Sequence, residues 1–328
     1  MGTKLQEFRI AKMQQFTPTH IPVLLDRCLE LLAPSLQAPG SLMLDGTLGL
    51  GGHAEAALER FPGLKLLGID RDQTALDLAS ARLARFGNRF TGRLGRFEAA
   101  PDYLRELGWS FVHAILLDLG VSSMQLDDGT RGFSYMRNEA LDMRMNQRAG
   151  LTAAELIERS SEAELVRIFR DYGEERFARR IAKLIVESNP RPRLSGELTA
   201  IVRAAVPARH QDAGHPARRV FQALRIAVNE ELDTLARALP QLIDSLAPSG
   251  RIVVLSYHSL EDEIVRDAMR KAATSGAPVD LPFEPAELRP KLRLITKGVE
   301  RASESEISLN PRAKSARLRA AEKLAAAA

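Results

Sequence analysis

LMLDGTLGLGGHAEAA, from Leu42 to Ala57, is the stretch that decides the fold. A short apolar run, Leu42 to Leu44, ends at Asp45 and gives way to Gly46, Gly49, Gly51 and Gly52. The helix-forming segment AEAAL follows directly. An apolar run, a glycine-rich turn and a helix start make a βα unit of the kind that cradles a nucleotide. Glycine lets the backbone approach a ligand closely, and the unpaired N–H groups of a first helical turn point at it. Glycine-rich βα turns also arise for steric reasons alone, so the unit has to be read with its surroundings.

Those surroundings repeat the pattern. LKLLGID, Leu64 to Asp70, reads as a second strand ending on an acid, and a helix runs on through Phe86 with Leu76, Ala79 and Leu83 on one face. A weaker strand is expected between Arg89 and Phe97, a short helix over Ala100 to Leu107, and the strongest strand over AILLDL, Ala114 to Leu119. A helix over Val23 to Leu32 precedes them, with Pro22 in its first turn and Pro34 beyond its end. Alternating strands and helices predict an α/β fold with a parallel, doubly wound sheet. After Ser123 the rhythm stops. Thr152-x-x-Glu155 and Ser161-x-x-Glu164 are capping boxes, each opening a helical pattern, and a further helix is expected from Glu174 to Glu187. The α/β rhythm returns with a helix from about Arg219 to Leu246, the strand RIVVLSYH and a last strand RLITK. The reading is a sheet-forming domain in two segments, residues 17–123 and 218–328, split by a helical insertion over 124–217. Residues 1–16 carry no pattern and read as a loose extension.

The totals agree with a protein of two lobes: 328 residues, 45% hydrophobic and 27% charged. No apolar run reaches membrane-spanning length and the first residues lack the core of a signal peptide, so no membrane partner is expected. The lone cysteine, Cys28, excludes an internal disulfide and a cysteine-cluster metal site; no other metal-ligand cluster is visible. Its place in the amphipathic segment VLLDRCLELL predicts a buried thiol, and the compartment is expected to be cytosolic. Net charge is only +4, but Arg176 to Arg225 holds eleven Lys/Arg against three Asp/Glu. Asn310 to Lys323 adds five more against Glu322 alone. Two such tracts point to a nucleic-acid partner or to a plain solvated face. Oligomeric state leaves no signature.

The strand ends carry the candidate chemistry. Asp70 is placed to hydrogen-bond the ribose hydroxyls of a nucleoside, a feature common to NAD and S-adenosylmethionine sites. GTLGLGGH is not in the GxGxxG register, and its glycines read better as room for a bulky, non-phosphate group; no P-loop is present. Phe97 is either the wall of an adenine pocket or plain core. Asp118, at the end of an isoleucine- and leucine-rich strand, is costly without a purpose and lies where open α/β sheets bind ligands. Gln125 is a polar contact just beyond it or a loop residue. SYHSLED, Ser256 to Asp262, occupies the corresponding edge after RIVVL. Ser256 and His258 are the candidate catalytic groups, with helix capping as the plainer role for the histidine and helix N-terminal stabilisation for Glu261 and Asp262. A Ser-His-Asp hydrolase lacks its GxSxG elbow here.

Longer blocks make a family visible. HIPVLLDRCLELL, DGTLGLGGHAEA, GIDRDQTAL, LLDLGVSSMQLDDGTRGFSY, LDMRMN, DYGEERFARRIA, HPARRVFQALRIAVNEEL, SYHSLED and NPRAKSARLR occur in this order. Together they resemble the bacterial 16S ribosomal RNA cytosine-N4 methyltransferase family, called RsmH or MraW, from about His20 to Leu318. The resemblance implies a class I S-adenosylmethionine-dependent fold, Rossmann-like, with a helical insertion. It implies methyl transfer to the exocyclic amine of a cytidine in the decoding region of small-subunit rRNA, with 16S rRNA or the subunit as partner. Carried over by motif, the cofactor contacts are Gly51, Gly52 and His53, then Asp70, Phe97, Asp118 and Gln125. Two positions depart from the family pattern: Tyr257 stands for a usual Phe and Glu263 for a usual Arg. The insertion and the C-terminal tail are expected to hold RNA phosphates. Three other readings compete: a nicotinamide-dependent oxidoreductase, an assembly factor without turnover, and a DNA amine methylase, which would carry a PPY-type turn where this chain has LGVS.

Overall fold

In the computed structural model, residues 21–210, 215–278, 285 and 288–325 are described. The patternless residues 1–16 lie outside them. The chain divides into two compact units, Met1–Gly120 with Asp233–Ala328, and Val121–Leu232.

The first unit is built on seven strands: β1 Leu42–Asp45, β2 Lys65–Asp70, β3 Phe90–Leu94, β4 Val112–Asp118, β5 Leu246–Ser256, β6 Leu292–Leu294 and β7 Arg317–Lys323. Their order is β3-β2-β1-β4-β5-β7-β6. The first five are parallel, with Asp45 level with Gly68 on one side and Leu116 on the other. This is the doubly wound, Rossmann-like class I arrangement, modified at one edge. β7 runs antiparallel to both β5 and β6.

Continuous apolar runs follow from burial on both faces. Met43, Leu66, Ala114, Leu116, Val253 and Leu255 face one core layer, while Leu44, Leu67, Ile115, Leu117, Ile252 and Val254 face the other; all twelve are fully buried. Helices α1 (Leu25–Leu36), α2 (Gly52–Arg60) and α3 (Gln73–Leu83) supply buried residues to the first layer. Helices α4 (Ala100–Glu106), α11 (Glu231–Asp244) and α12 (Ser259–Ala272) supply the second, as the α numbering runs in chain order through both units. Cys28 is buried in the first layer, where desolvation raises its thiol pKa well above the ordinary value.

The second unit contains α5 (Ser123–Asp127), α6 (Ala153–Arg159), α7 (Glu162–Asp171), α8 (Ala178–Glu187), α9 (Ser195–Ala205) and α10 (Arg218–Asn229). Both anticipated capping boxes form. Thr152 Oγ1 accepts from the Glu155 N–H at 3.1 Å while Glu155 Oε2 accepts from the Thr152 N–H at 2.8 Å, and Ser161 with Glu164 repeats the arrangement. Leu165, Ile168, Phe169, Ile181, Ile185, Leu198, Val202, Val220, Phe221 and Leu224 close a core of their own. Val220, Phe221 and Leu224 belong to α10, so the second unit reaches Leu232, not residue 217 as the sequence pattern suggested.

Four further expectations are corrected. Pro34 lies inside α1, because its ring is exposed and water can satisfy the Glu30 carbonyl it leaves unbonded. The helix after Glu174 begins only at Ala178, since Glu174 adopts φ 48°. The long helix expected over Arg219 to Leu246 is two, broken at Glu230 with φ 51°. Asn229 secures that break: its Nδ2 donates to the Met143 carbonyl at 2.8 Å and its Oδ1 accepts from the Met145 N–H at 2.8 Å. Finally, the basic C-terminal tail is largely strand β7. Arg319 bonds both oxygens of Asp262, at 2.6 and 3.0 Å, and Lys323 donates to the Ile243 carbonyl at 2.9 Å. These two cations are used inside the fold. In the insertion, Arg191 donates to the carbonyls of Ile157, Glu158 and Ser160, and Arg225 pairs with Glu231, whereas Arg176, Arg179 and Arg218 are exposed.

Candidate active site

Three neighbouring strands of the first unit end on acids: β2 on Asp70, β1 on Asp45 and β4 on Asp118. The βα turn after β1 ties them together. Asp45 Oδ1 accepts from the Thr47 N–H at 3.1 Å, and Asp70 accepts from the N–H groups of Gly49 (2.7 Å) and Asp72 (2.8 Å). Thr47 Oγ1 accepts from the Asp118 N–H at 2.6 Å, which fixes the turn to the end of β4. Burial pushes all three carboxyls upward. Asp45 reaches about 7, with the charges of Asp118 and Asp70 adding to desolvation. Asp70 reaches about 6, opposed by its two backbone donors. Asp118 is raised by desolvation and held back by His53 and the Tyr257 hydroxyl.

The glycines of the turn serve the backbone first. Gly49 and Gly51 have φ of 53° and 77°, a region that costs any other residue. A Cβ on Gly46 would lie 2.5 Å from Leu117 Cδ2, and one on Gly52 2.5 Å from Pro22 Cγ. Protein side chains crowd these two positions, whereas a Cβ on Gly49 would meet only the Thr47 carbonyl oxygen, at 3.9 Å. Gly51 is the N-cap residue of α2, which has no side-chain cap hydrogen bond. His53 is buried; its Nε2 lies 3.1 Å from the Val23 carbonyl and its Nδ1 3.8 Å from Asp118 Oδ2. Phe97 occupies a 3-10 turn after β3 and packs in the second core layer with Leu44 and Leu117. Gln125 belongs to the second unit, where its Oε1 accepts from the Ser122 N–H at 3.0 Å and its N–H donates to Ser122 Oγ at 3.3 Å.

SYHSLED follows β5 at the same sheet edge. Ser256 is fully buried, and among the described residues neither its Oγ nor His258 Nδ1 has a hydrogen-bond partner. His258 is the N-cap residue of α12 but its side chain does not cap, and Glu261 in the first turn accepts from the Tyr257 N–H at 2.8 Å. Glu261 Oε1 lies 3.2 Å from His258 Nε2. Ser256 and His258 are not bonded to each other, so the nucleophile–base contact of a serine hydrolase is missing. Tyr257, the departure noted above, adds a hydroxyl that donates to Asp118 Oδ1 at 2.6 Å. Thr47, Asp45 and Tyr257 were not singled out from the sequence as site residues. The one available signal was that Asp45, like Asp70 and Asp118, closes a strand.

Among the described residues no group of three or more His, Cys, Asp or Glu is arranged to hold a metal, and no helix is long and apolar enough to cross a membrane. Three buried acids around one edge suit a cationic ligand and oppose a pyrophosphate. A sulfonium cofactor with a nucleoside therefore fits the donor set: acids for the cation and for ribose hydroxyls. A nicotinamide dinucleotide does not.

Comparison with known proteins agrees. The model of the MraW methylase family matches residues 17–324. A protein of Beutenbergia cavernae named ribosomal RNA small subunit methyltransferase H is 52% identical over 94% of this chain and 94% of its own. Proteins of the same name from Thermobifida fusca and Clavibacter michiganensis are 52% and 53% identical, each over 93% of this chain and 94% and 96% of their own. A crystal structure described as a putative rRNA-methylase from Clostridium thermocellum covers 93% of this chain and 99% of its own, at 13% identity and a TM-score of 0.44, too distant to argue from. On the sequence relatives and the family model, the chain belongs to the MraW methylase family, as a methyltransferase whose cofactor is S-adenosylmethionine.

Proposed function

We propose that this protein methylates the N4 amine of a specific cytidine in the decoding region of 16S rRNA, presented as free rRNA or in the small subunit. The compartment is then the cytoplasm in which bacterial ribosomes assemble. The observation that carries the reading is the pair of buried polar atoms that have no hydrogen-bond partner among the described residues, Ser256 Oγ at the end of β5 and His258 Nδ1 just beyond it, on the sheet edge that also holds Asp118. Unsatisfied polar atoms in a buried setting are costly and are expected where a substrate supplies the missing partner. The relatives' name supports an rRNA substrate, and the exposed Arg176, Arg179 and Arg218 supply phosphate-binding charge.

The cofactor, when bound, supplies an electrophilic methyl group. Asp70 would accept hydrogen bonds from its ribose, Phe97 would line the adenine, and Gly51, Gly52 and His53 would offer backbone at the start of α2, with Asp118 completing the set. The chemical difficulty lies in the nucleophile, because cytosine's amine shares its lone pair with the ring. Acceptors around its N–H groups draw the nitrogen toward tetrahedral geometry. Asp118, the Leu119–Gly120 backbone and Ser256 are the candidates for that task. His258, backed by Glu261 at 3.2 Å, takes up the proton the alkylated amine releases. Positioning of this kind can lower a barrier by roughly 7–11 kcal/mol in favourable cases. The base has to leave any stack to reach a sheet edge, so an unpaired or splayed nucleotide is the expected target.

The test is transfer of labelled methyl from S-adenosylmethionine to small ribosomal subunits and, in parallel, to protein-free 16S rRNA, with nucleoside analysis. Label in N4-methylcytidine supports the reading. Cofactor binding without transfer to either substrate rejects it.

A further inference from the structure

The Asp118 carboxylate is addressed on both sides from within its own unit. Tyr257 donates its hydroxyl to Oδ1 at 2.6 Å. Desolvation, with Asp118 beside it, raises the Tyr257 phenol pKa well above the ordinary tyrosine value, so the hydroxyl keeps its proton and acts as a donor. Tyr257 is itself anchored: its N–H bonds Glu261 Oε2 at 2.8 Å, and its Cδ2 lies 3.4 Å from where a Cβ on Gly120 would sit. The other side of Asp118 is looser. His53 places Nδ1 3.8 Å from Oδ2, beyond hydrogen-bond length. Its Nε2 faces the Val23 carbonyl, which can only accept, so Nε2 carries a hydrogen and Nδ1 is bare in the neutral ring. A bare nitrogen does not hold a carboxylate.

We propose that Tyr257 is a positioning residue for methyl transfer: its hydroxyl holds the Asp118 carboxylate in one orientation and favours its charged form, leaving Oδ2 to the reactants. The proposal rests on the reading above that Asp118 belongs to the methyl-transfer site. The groups facing Asp118 are Cys28 from α1, Asp45 from β1, His53 from α2, Tyr257 from the turn after β5 and Glu261 from α12. Two of them are acids that disfavour its charge, and buried Cys28 offers it no compensating charge. Among these Tyr257 favours it, and His53 does so only when its ring is protonated. Replacing Tyr257 by Phe keeps the ring and removes one hydrogen bond to a buried anion, so Asp118 protonates at higher pH.

The test compares wild type, Tyr257→Phe and Asp118→Ala, each as the full chain. Calorimetric binding of S-adenosylmethionine and kcat/KM for methyl transfer to small subunits are measured from pH 5 to 9, with a thermal melt of each protein. For Tyr257→Phe the acid limb of kcat/KM is expected to move up by about one pH unit, with activity recovering toward wild type above the limb. A purely structural tyrosine would lower the melting temperature and scale the rate equally at every pH; that pattern, or a profile superimposed on wild type, overturns the proposal. If Asp118→Ala leaves both binding and rate unchanged, the reading of Asp118 fails instead. A strong loss in Asp118→Ala beside an unshifted Tyr257→Phe rejects the tyrosine's role alone.

Discussion

Arg319→Ala separates two accounts of the C-terminal cations. If they lie on RNA, the substitution weakens RNA binding; if Arg319 serves the fold, it lowers stability. Arg319 lies on β7, level with Val254 of β5, and its guanidinium grips Asp262 of α12 through both carboxylate oxygens, at 2.6 and 3.0 Å. The two side chains are 16% and 12% exposed. Removing one member of a fully buried pair costs roughly 3–5 kcal/mol, because the other charge is left without a partner. Some water reaches this pair, so a loss of about 2–4 kcal/mol is the discounted figure. For a unit of this size that lowers the melting temperature by roughly 5–15 °C. Asp262→Ala should cost a similar amount, and the double variant should cost less than the sum, with a coupling energy of about 1.5–3 kcal/mol. Urea unfolding followed by far-UV circular dichroism reads all three variants. The salt dependence of RNA binding should keep its slope. A change in stability below about 0.5 kcal/mol, with a slope reduced by about one, would refute the structural account and return Arg319 to the RNA.

Three further predictions concern charge. In the unliganded protein Asp70 titrates at about 6, and ribose hydroxyls favour its carboxylate, so S-adenosylmethionine should bind more weakly as pH falls below 6. Asp70→Asn should lose roughly 10–100-fold in affinity at pH 8 and show a flattened acid limb in calorimetry. Burial pushes the Asp45 carboxyl up to about 7 in the fold from an ordinary value of 3.8, so its stabilising contribution is complete below about pH 4 and is lost as pH rises through 7. Asp45→Asn keeps an acceptor for the Thr47 N–H and removes the charge. Its stability margin over wild type in unliganded melts should widen from pH 5 to pH 8 by on the order of 2 kcal/mol; an equal margin at both values would contradict the assignment. Arg218→Ala with Arg219→Ala should weaken RNA binding and reduce its salt slope by about two without altering cofactor affinity, and equal RNA affinity across a salt series would reject it. A small stability loss should accompany it, because Arg219 also donates to the Glu174 carbonyl at 3.1 Å.

Much of the fold was legible because its signals are local. The runs ending at Asp45, Asp70 and Asp118 are apolar throughout since both sheet faces are covered, and capping boxes such as Thr152 with Glu155 are written within four residues. β7 was not legible. RLRAAEK reads as a charge run, and it becomes a strand because Leu318, Ala320 and Ala321 meet the cores while Arg319 and Glu322 find partners on α12 and β5. The break at Glu230 was equally hidden, with no glycine or proline to mark it and its cause some eighty residues away in the backbone of Met143 and Met145.

By itself the sequence determined the order of the first five strands, the interruption after Ser123, and which acids close which strands. Those follow from periodicity and from residue types that cap or break elements over a few positions. Only the tertiary structure decided that β7 enters the sheet antiparallel, that Arg319 and Lys323 face inward, and that Tyr257 meets Asp118 across 139 residues of chain. Such contacts depend on which segments a finished core brings within 3 Å of one another, and no local pattern carries that information.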